Sequence, residues 1–539
     1  MRTDIVRTYK DIHSWVGIIC GLALFIAFYA GAITMFEAPL QRWATPPIEI
    51  SEPPALEQTP ELIKLVQAEY PEAKGGFDVV VETGLGEPAR VRWSGGGGLE
   101  SGVTYYASLD RHGRLEVESR TSSPVADFID VLHQQVGLPF DQDVSMIIMG
   151  FIAMLYAVAI ISGFICLLPS LVKDLFALRF GKNVKRMWLD IHNSLGLFSM
   201  PFHIVMALTS VTFAFHDQIY DVEQAVRSIG AQQAIESDEH DHSSNSAGAK
   251  AVIAPAELID ELARQAPGFE ASHITYRYSE GMGDEVMVVG ENPQFLRSRP
   301  AGVFVEVNAY TGAINLEEDI PGKQSGWDAT ISSFFALHFG SYGGEPVRWS
   351  YFVLGIAGAF IFYTGNLLWV ESHRRKDRKS GPVEQSGTNR ILAALTVGVP
   401  LGCISGLSLT IAAAKWLPRF IGDLSLWHSG IYYFMFVFAV IWSLVRGAAR
   451  SGRELLWIAA ITTALIPLTS LLSSLGVGWS HADNSRLVDL IALVGMAGFI
   501  MIALSAQKRG VQGPSDSVWS SAEPRLKEGR GSKGDASSS

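Results

Sequence analysis

"KDIHSWVG" (residues 10–17) leads straight into the first long apolar stretch of the chain, and "LDIHNSLG" (189–196) leads into a later one. The same Asp-Ile-His triplet, with a glycine four residues after each histidine, marks a repeated unit. Working outward, "VLHQQVG" (131–137) and "ALHFGSYGG" (336–344) each stand ahead of a second apolar stretch, so the two copies fall at 1–180 and 181–376 with two matched histidines apiece. Between those histidines each copy holds an amphipathic helix pattern, "TPELIKLVQAEYP" (59–71) and "APAELIDELARQAP" (254–267). Strand-like alternation follows in "VTYYASLDRHGRLEV" (103–117) and "GVFVEVNAYTGAINL" (302–316), with turns at Asp110–Gly113 and Asn308–Gly312.

Composition sets the class. The 539 residues are 48% hydrophobic and 18% charged, too apolar for an ordinary soluble enzyme. The apolar residues collect in blocks long enough to span a bilayer, at 16–36, 146–168, 191–214, 349–370, 391–414, 427–445, 455–475 and 487–505. The first block is too long for a signal-peptide core and is expected to be retained. The fold expected is therefore a polytopic α-helical membrane protein of about eight transmembrane helices, with two small α+β extracytoplasmic domains in a tandem repeat.

Basic residues orient the helices. They gather at Arg2, Arg7 and Lys10, at Lys173–Arg186, in "HRRKDRK" (373–379), at Arg446–Arg453 and at Lys508–Arg509, all on one side of the expected bundle. The positive-inside rule makes that side cytoplasmic, which puts both termini inside and residues 37–145 and 215–348 outside. The net charge of −12 resides mainly in the outer segments and the polar tail and gives no hint of nucleic-acid binding. Cys20, Cys166 and Cys403 lie in apolar blocks without C-x-x-C spacing, which argues against disulfides and thiolate metal sites.

The paired "DIH…G" helices, the two "LH" segments and the outer stretch ending in "VEVNAYTGAI" resemble the PepSY-associated transmembrane family, which includes bacterial inner-membrane di-haem ferric-siderophore reductases. The resemblance covers roughly residues 1–376 and leaves the last four helices outside it. It implies a first transmembrane helix in 1–45, a PepSY-like periplasmic domain in 46–123, an interfacial helix and second span in 124–180, and a third span in 181–216. A second PepSY-like domain would follow in 217–325 and an interfacial helix and fourth span in 326–376. Beyond the resemblance, the apolar blocks give a four-helix membrane extension in 377–509, and the Ser/Gly-rich, charged composition a disordered cytoplasmic tail in 510–539. The resemblance also implies two haem b groups and reduction of ferric iron or ferric siderophores on the periplasmic side of the inner membrane.

Physical reasoning bears on the histidines directly. Asp11 and Asp190 suit helix N-caps, so the plain reading of each triplet is a capped helix start with a polar histidine at the membrane surface. A charged imidazole is disfavoured at a helix N-terminus, whereas the neutral ring is the form that ligates haem iron. Gly17, Gly196 and Gly137 fall on the faces of His13, His192 and His133 if those segments are helical, leaving bare surface for a flat porphyrin or for close helix packing. The glycines after His338 fall out of step and predict a turn.

Parallel repeats imply a pseudo-two-fold axis along the membrane normal. It would set His13 against His192 near one surface and His133 against His338 near the other, each pair supplying two axial ligands to a haem iron. His203, eleven residues beyond His192 and ~16 Å along a straight helix, would share its face and is an alternative outer ligand. His428 reads as interfacial, Arg42 and Arg348 as solvated side chains or partners of haem propionates, and "ESDEHDH" (236–242) as a solvated acidic loop.

The expected function is transmembrane electron transfer to a ferric chelate, with no catalytic acid or base. No cytoplasmic stretch is long enough for a nicotinamide or flavin domain, so the electrons are expected from membrane quinol or a separate donor protein. Two other readings fit the same residues: a membrane-anchored binding or regulatory protein without redox activity, and a transporter.

Overall fold

The computed structural model describes residues 3–84, 87–95, 103–174, 179, 184–222, 225, 252–279, 283–295, 302–314, 320–324, 326–378, 386–421, 423–475, 486–512 and 517–520. The first copy runs α1 (Thr3–Thr34), α2 (Glu37–Ala44), α3 (Thr59–Glu69), β1 (Gly76–Val80), β2 (Val91–Ser94), β3 (Val103–Leu109), β4 (Leu115–Thr121), α4 (Val125–Gln134) and α5 (Gln142–Leu167). The second runs α6 (Val184–Phe198), α7 (Met200–Ala214), α8 (Pro255–Gln265), β5 (Glu270–Ser279), β6 (Gly283–Glu291), β7 (Val303–Val307), α9 (Gly326–Phe339) and α10 (Gly344–Arg378). Helices α11 (Gly387–Ala414), α12 (Leu424–Arg446), α13 (Ala448–Ser474) and α14 (Arg486–Gln512) complete the chain.

Among the described residues seven helices are long and apolar enough to cross a membrane, and the α6–α7 pair, bent by 67°, makes an eighth when counted as one span. The chain is thus a multi-pass helical membrane protein with an α+β region. The bend was not expected. Pro201 lacks the N–H that would bond Leu197, and its ring presses on that carbonyl, so the helix breaks at Ser199. The corresponding residue of the first copy is Leu22, and α1 continues unbroken for 32 residues.

The aspartates do not cap helices. Asp11 lies eight residues inside α1 and Asp190 six inside α6, so the helix-terminus argument for a neutral histidine does not hold. Asp190 is buried and instead pairs with Arg179 and Arg186, each at 3.1 Å. Asp11 is exposed.

The two outer stretches share one sheet rather than forming separate domains. Its order is β4-β3-β2-β1-β5-β6-β7, antiparallel throughout, with the seam at β1 and β5 where Asp78 faces Thr275. The seam is tied by Thr275, whose hydroxyl donates to Asp78 (2.8 Å), while Arg92 donates to the other carboxylate oxygen (2.9 Å). Helices α3 and α8 cover the sheet, and Leu62, Val66, Val79, Val91, Leu258, Leu262, Ile274 and Val288 form a single core. Alternation along the strands drives this: β7 buries Val303, Val305 and Val307 and exposes Phe304 and Glu306. Both expected turns form. Asp110 accepts from the backbone of His112 and Arg114, and those bonds, with the Arg114 side chain, hold its carboxyl down at about 2. Asn308 accepts from Tyr310 and Thr311.

The four added helices pack on α1 and α4 of the first copy and on α10 of the second. One apolar cluster joins Ile26, Trp43, Ile129 and Leu132 to Leu407, Tyr432, Ile466 and Ala492. The indole of the buried Trp43 donates to Asp489 and to Ser470, both at 3.1 Å. The ammonium of the buried Lys415 donates to Ser470 (2.7 Å) and lies 3.9 Å from the Trp43 ring centre. Lipid removes most of the hydrophobic incentive for helices to associate, so packing and polar ties of about 0.6 kcal/mol each must hold them. Helix α14 continues to Gln512, and Val518 and Trp519 pack against the buried cluster that holds Val370 and Leu455, while the rest of the expected tail lies outside the described residues. The acidic "ESDEHDH" insert lies outside the described residues.

Candidate functional site: two imidazole pairs

The four matched histidines meet in two pairs. His13 on α1 and His192 on α6 have ring centroids 6.2 Å apart with planes at 65°. His133 on α4 and His338 on α9 have centroids 6.0 Å apart with planes at 37°. The second pair lies at the sheet end of the bundle and is called the near pair here; the first, towards the start of α1, is the far pair. Each pair takes one ring from each copy, as a two-fold relation requires.

Every one of these rings is anchored through Nδ1 to another helix of its own copy. His13 bonds the Ala159 carbonyl on α5 (2.9 Å), and His133 the Ala27 carbonyl on α1 (2.8 Å). His192 bonds the Thr364 hydroxyl on α10 (3.0 Å), and His338 the Thr209 hydroxyl on α7 (2.8 Å). A carbonyl only accepts, so His13 and His133 must carry the proton on Nδ1, which leaves a lone pair on Nε2. Among the described residues no hydrogen bond uses any of the four Nε2 atoms. A neutral imidazole held by Nδ1–H with Nε2 free is the arrangement that metal-ligating histidines adopt.

Spacing and room agree with a shared metal. Two imidazoles that ligate one ion from opposite sides, each nitrogen about 2 Å from it, hold their ring centroids about 6 Å apart. At the far pair, a Cβ on Gly17 or Gly196 would meet nothing within 4 Å, so both positions border open space. Gly21, by contrast, packs on Asn366, where a Cβ would come within 3.3 Å. The two uses foreseen for these glycines are therefore divided between positions 17 and 21. Gly137 is not on the ring's face, since α4 has ended and it sits at φ +73° in the following turn, but it too serves close packing, where a Cβ would come within 3.0 Å of Ile26. The turn expected after His338 is present, with Gly340 and Gly343 at φ +61° and +71°. Each pair thus offers two nitrogen donors of the kind that a haem iron takes, and at the far pair they border open space.

The remaining candidates sit apart from the pairs. The 67° bend places His203 on a different limb from His192, so the shared-face argument fails. His203 hydrogen-bonds Tyr156 through Nδ1 within a cluster of Phe28, Phe202 and Phe362, and its buried Nε2 has no partner among the described residues. His428, expected at the interface, is fully buried. Arg348 pairs with Glu345 one turn before it, and Arg42 is exposed.

The ring anchors were missed by sequence reasoning. Gly163 and Gly31 lie four residues beyond Ala159 and Ala27, and a Cβ there would stand 2.8 Å from the His13 ring and 2.7 Å from the His133 ring. The carbonyl thus bonds the ring and the glycine leaves room for it. Thr209 and Thr364 were discoverable as polar residues inside apolar spans, a class that is commonly functional. A helical carbonyl leaves no mark in a sequence.

No curated protein matches the chain. A family does, over residues 11–372, an interval that begins just before His13, contains all four paired histidines and stops before α11. By that match the chain belongs to the family of the PepSY-associated TM region.

Proposed function

We propose that the protein carries electrons across a bacterial inner membrane and reduces ferric iron or ferric siderophores at the periplasmic face. Two b-type haems are held by His13 with His192 and by His133 with His338. The observation that carries this reading is the fourfold recurrence of one arrangement: an imidazole bonded through Nδ1 to its own copy, with Nε2 unbonded, facing its counterpart at about 6 Å. Isolated polar side chains inside a bundle do not require that coincidence.

The haem groups would supply a one-electron Fe(III)/Fe(II) couple at each end of the bundle. The chain turns each imidazole through its Nδ1 bond, and Phe28 and Tyr156 pack in an apolar, aromatic interior. One electron delivered to a ferric chelate gives the ferrous chelate, whose hard oxygen donors hold iron less tightly. Neither bond cleavage nor a catalytic acid is needed. The basic clusters support a cytoplasmic location for both termini, hence the far pair on the donor side and the near pair on the acceptor side. Membrane quinol or a separate protein supplies the electrons.

The test is the absorption spectrum of the purified chain. It should show a Soret band, α-bands from two low-spin haems, and release of all haem into acidic solvent, because no thioether attachment motif is present. A colourless protein active in ligand binding or transport would overturn the proposal in favour of the anchor or transporter reading.

A further inference from the structure

We propose that Thr364 and Thr209 are positioning residues, one for each imidazole pair, that fix the tautomer and set the donor strength of His192 and His338. The inference rests on the haem reading above. A threonine hydroxyl has one proton to give. Thr364 gives it to the Ile361 carbonyl at 2.9 Å, and Thr209 gives it to the Val205 carbonyl at 2.8 Å. Each oxygen is left with lone pairs only, so the imidazole must donate from Nδ1, and Nε2 must carry the lone pair. Both threonines are buried, so water does not compete for the bond.

Threonines in apolar helices often bond back to the preceding turn with no further role. These two differ because each stands where the first copy uses a carbonyl, Ala159 for His13 and Ala27 for His133. Each pair therefore combines a ring on a fixed carbonyl with a ring on a side chain. Bonding at Nδ1–H raises the basicity of the ligating nitrogen and favours the ferric state. The residue at positions 364 and 209 thereby adjusts one haem each, independently of the backbone.

The experiment is a potentiometric titration of the purified full-length protein, with its haems as isolated, followed by absorption and low-spin EPR. The variants are Thr364→Val, Thr364→Ser, Thr209→Val and Thr209→Ser, with Ala at either site if Val does not accumulate. Thr364→Val should lower the ferric-over-ferrous preference of the far haem about tenfold, a midpoint rise of ~59 mV for one electron, and shift its EPR signal. Thr209→Val should do so at the near haem alone, and both Ser variants should stay close to wild type. Unmoved midpoints in both Val variants, equal shifts at both haems, or Ser behaving as Val would overturn the assignment. A wild-type protein without haem would overturn the functional reading and this inference together, whereas two haems with unmoved midpoints would overturn this inference alone.

Discussion

The two imidazole pairs are built from different materials. The far pair stands on α1 and α6, parts of membrane crossings, and its rings are anchored to two further crossings, α5 and α10. The near pair stands on the short helices α4 and α9. Helix α4 is packed by α1, α2 and the added helices α11 and α12, whereas α9 packs mainly on α7. The far rings stand on helices of the two copies and are anchored to helices of the two copies, although α10 also packs on the added helices through Val370, Ala393 and Leu455. At the near site the ring-bearing helix α4 itself packs on α11 and α12, and so the four added helices should matter more at that end.

The largest test of this contrast removes a ring. Under the haem reading His133→Ala or His338→Ala should eliminate the near haem, halve the haem content and abolish ferric-chelate reduction, with the far haem still reducible by the physiological donor. His13→Ala or His192→Ala should leave a near haem that dithionite reduces and the donor does not. His203→Ala should keep both haems; loss of the near haem there would make His203 a ligand and break the symmetric pairing.

Next in size are the glycines beneath the rings. Gly31→Ala drives a methyl to 2.7 Å from the His133 ring and Gly163→Ala to 2.8 Å from the His13 ring, so each should reduce retention of its own haem by about ten- to a hundredfold, the range for a disturbed ligand support. Haem loss measured by transfer to apomyoglobin separates the two. Equal loss at both ends in either variant would show that the sites do not assemble independently.

A smaller effect is expected from Lys415→Met. Asp489 and Ser470 then lose their cation, and breaking a buried charged cluster costs about 3–5 kcal/mol in water-soluble proteins. Thermal unfolding in detergent should come earlier, and the near haem should become labile before the far one. Uniform lability would mean that the added helices support the whole bundle. The smallest effect belongs to Tyr433→Phe, which removes a long 3.4 Å bond to the Gly137 carbonyl and should cost no more than about 1 kcal/mol.

Much of this was legible in the sequence, for identifiable reasons. Apolar blocks gave the crossings, because a bilayer imposes one length on every helix that spans it. The repeat gave the pairings, because His13 and His192, or His133 and His338, are equivalent positions and a two-fold axis brings equivalents together. The bend at Ser199 was signalled by Pro201, but a proline within an apolar run does not reveal how far the helix will turn. The helix starts were misplaced because Asp-Ile-His looks like a cap whether or not an earlier turn exists. The seam between β1 and β5 pairs backbone with backbone across some 200 positions of sequence, with Thr275 bonded to Asp78 and Tyr276 stacked on Phe77 across it. The carbonyls of Ala27 and Ala159 have no residue type of their own.

Each imidazole pair draws one ring from each copy, so half of this protein contains no complete site. Under the haem reading, a single-copy ancestor could have held iron only as a twin, with its β1 strand completing the sheet of an identical neighbour. Such a pair dissolves on dilution, and its occupancy follows the abundance of the protein. Fusing the copies replaces that encounter with an intramolecular one at an effective concentration on the order of millimolar. It also frees each half to diverge, which is visible in the ring partners, carbonyls of α5 and α1 in the first copy and threonine hydroxyls of α10 and α7 in the second, and in the proline that bends only the second copy.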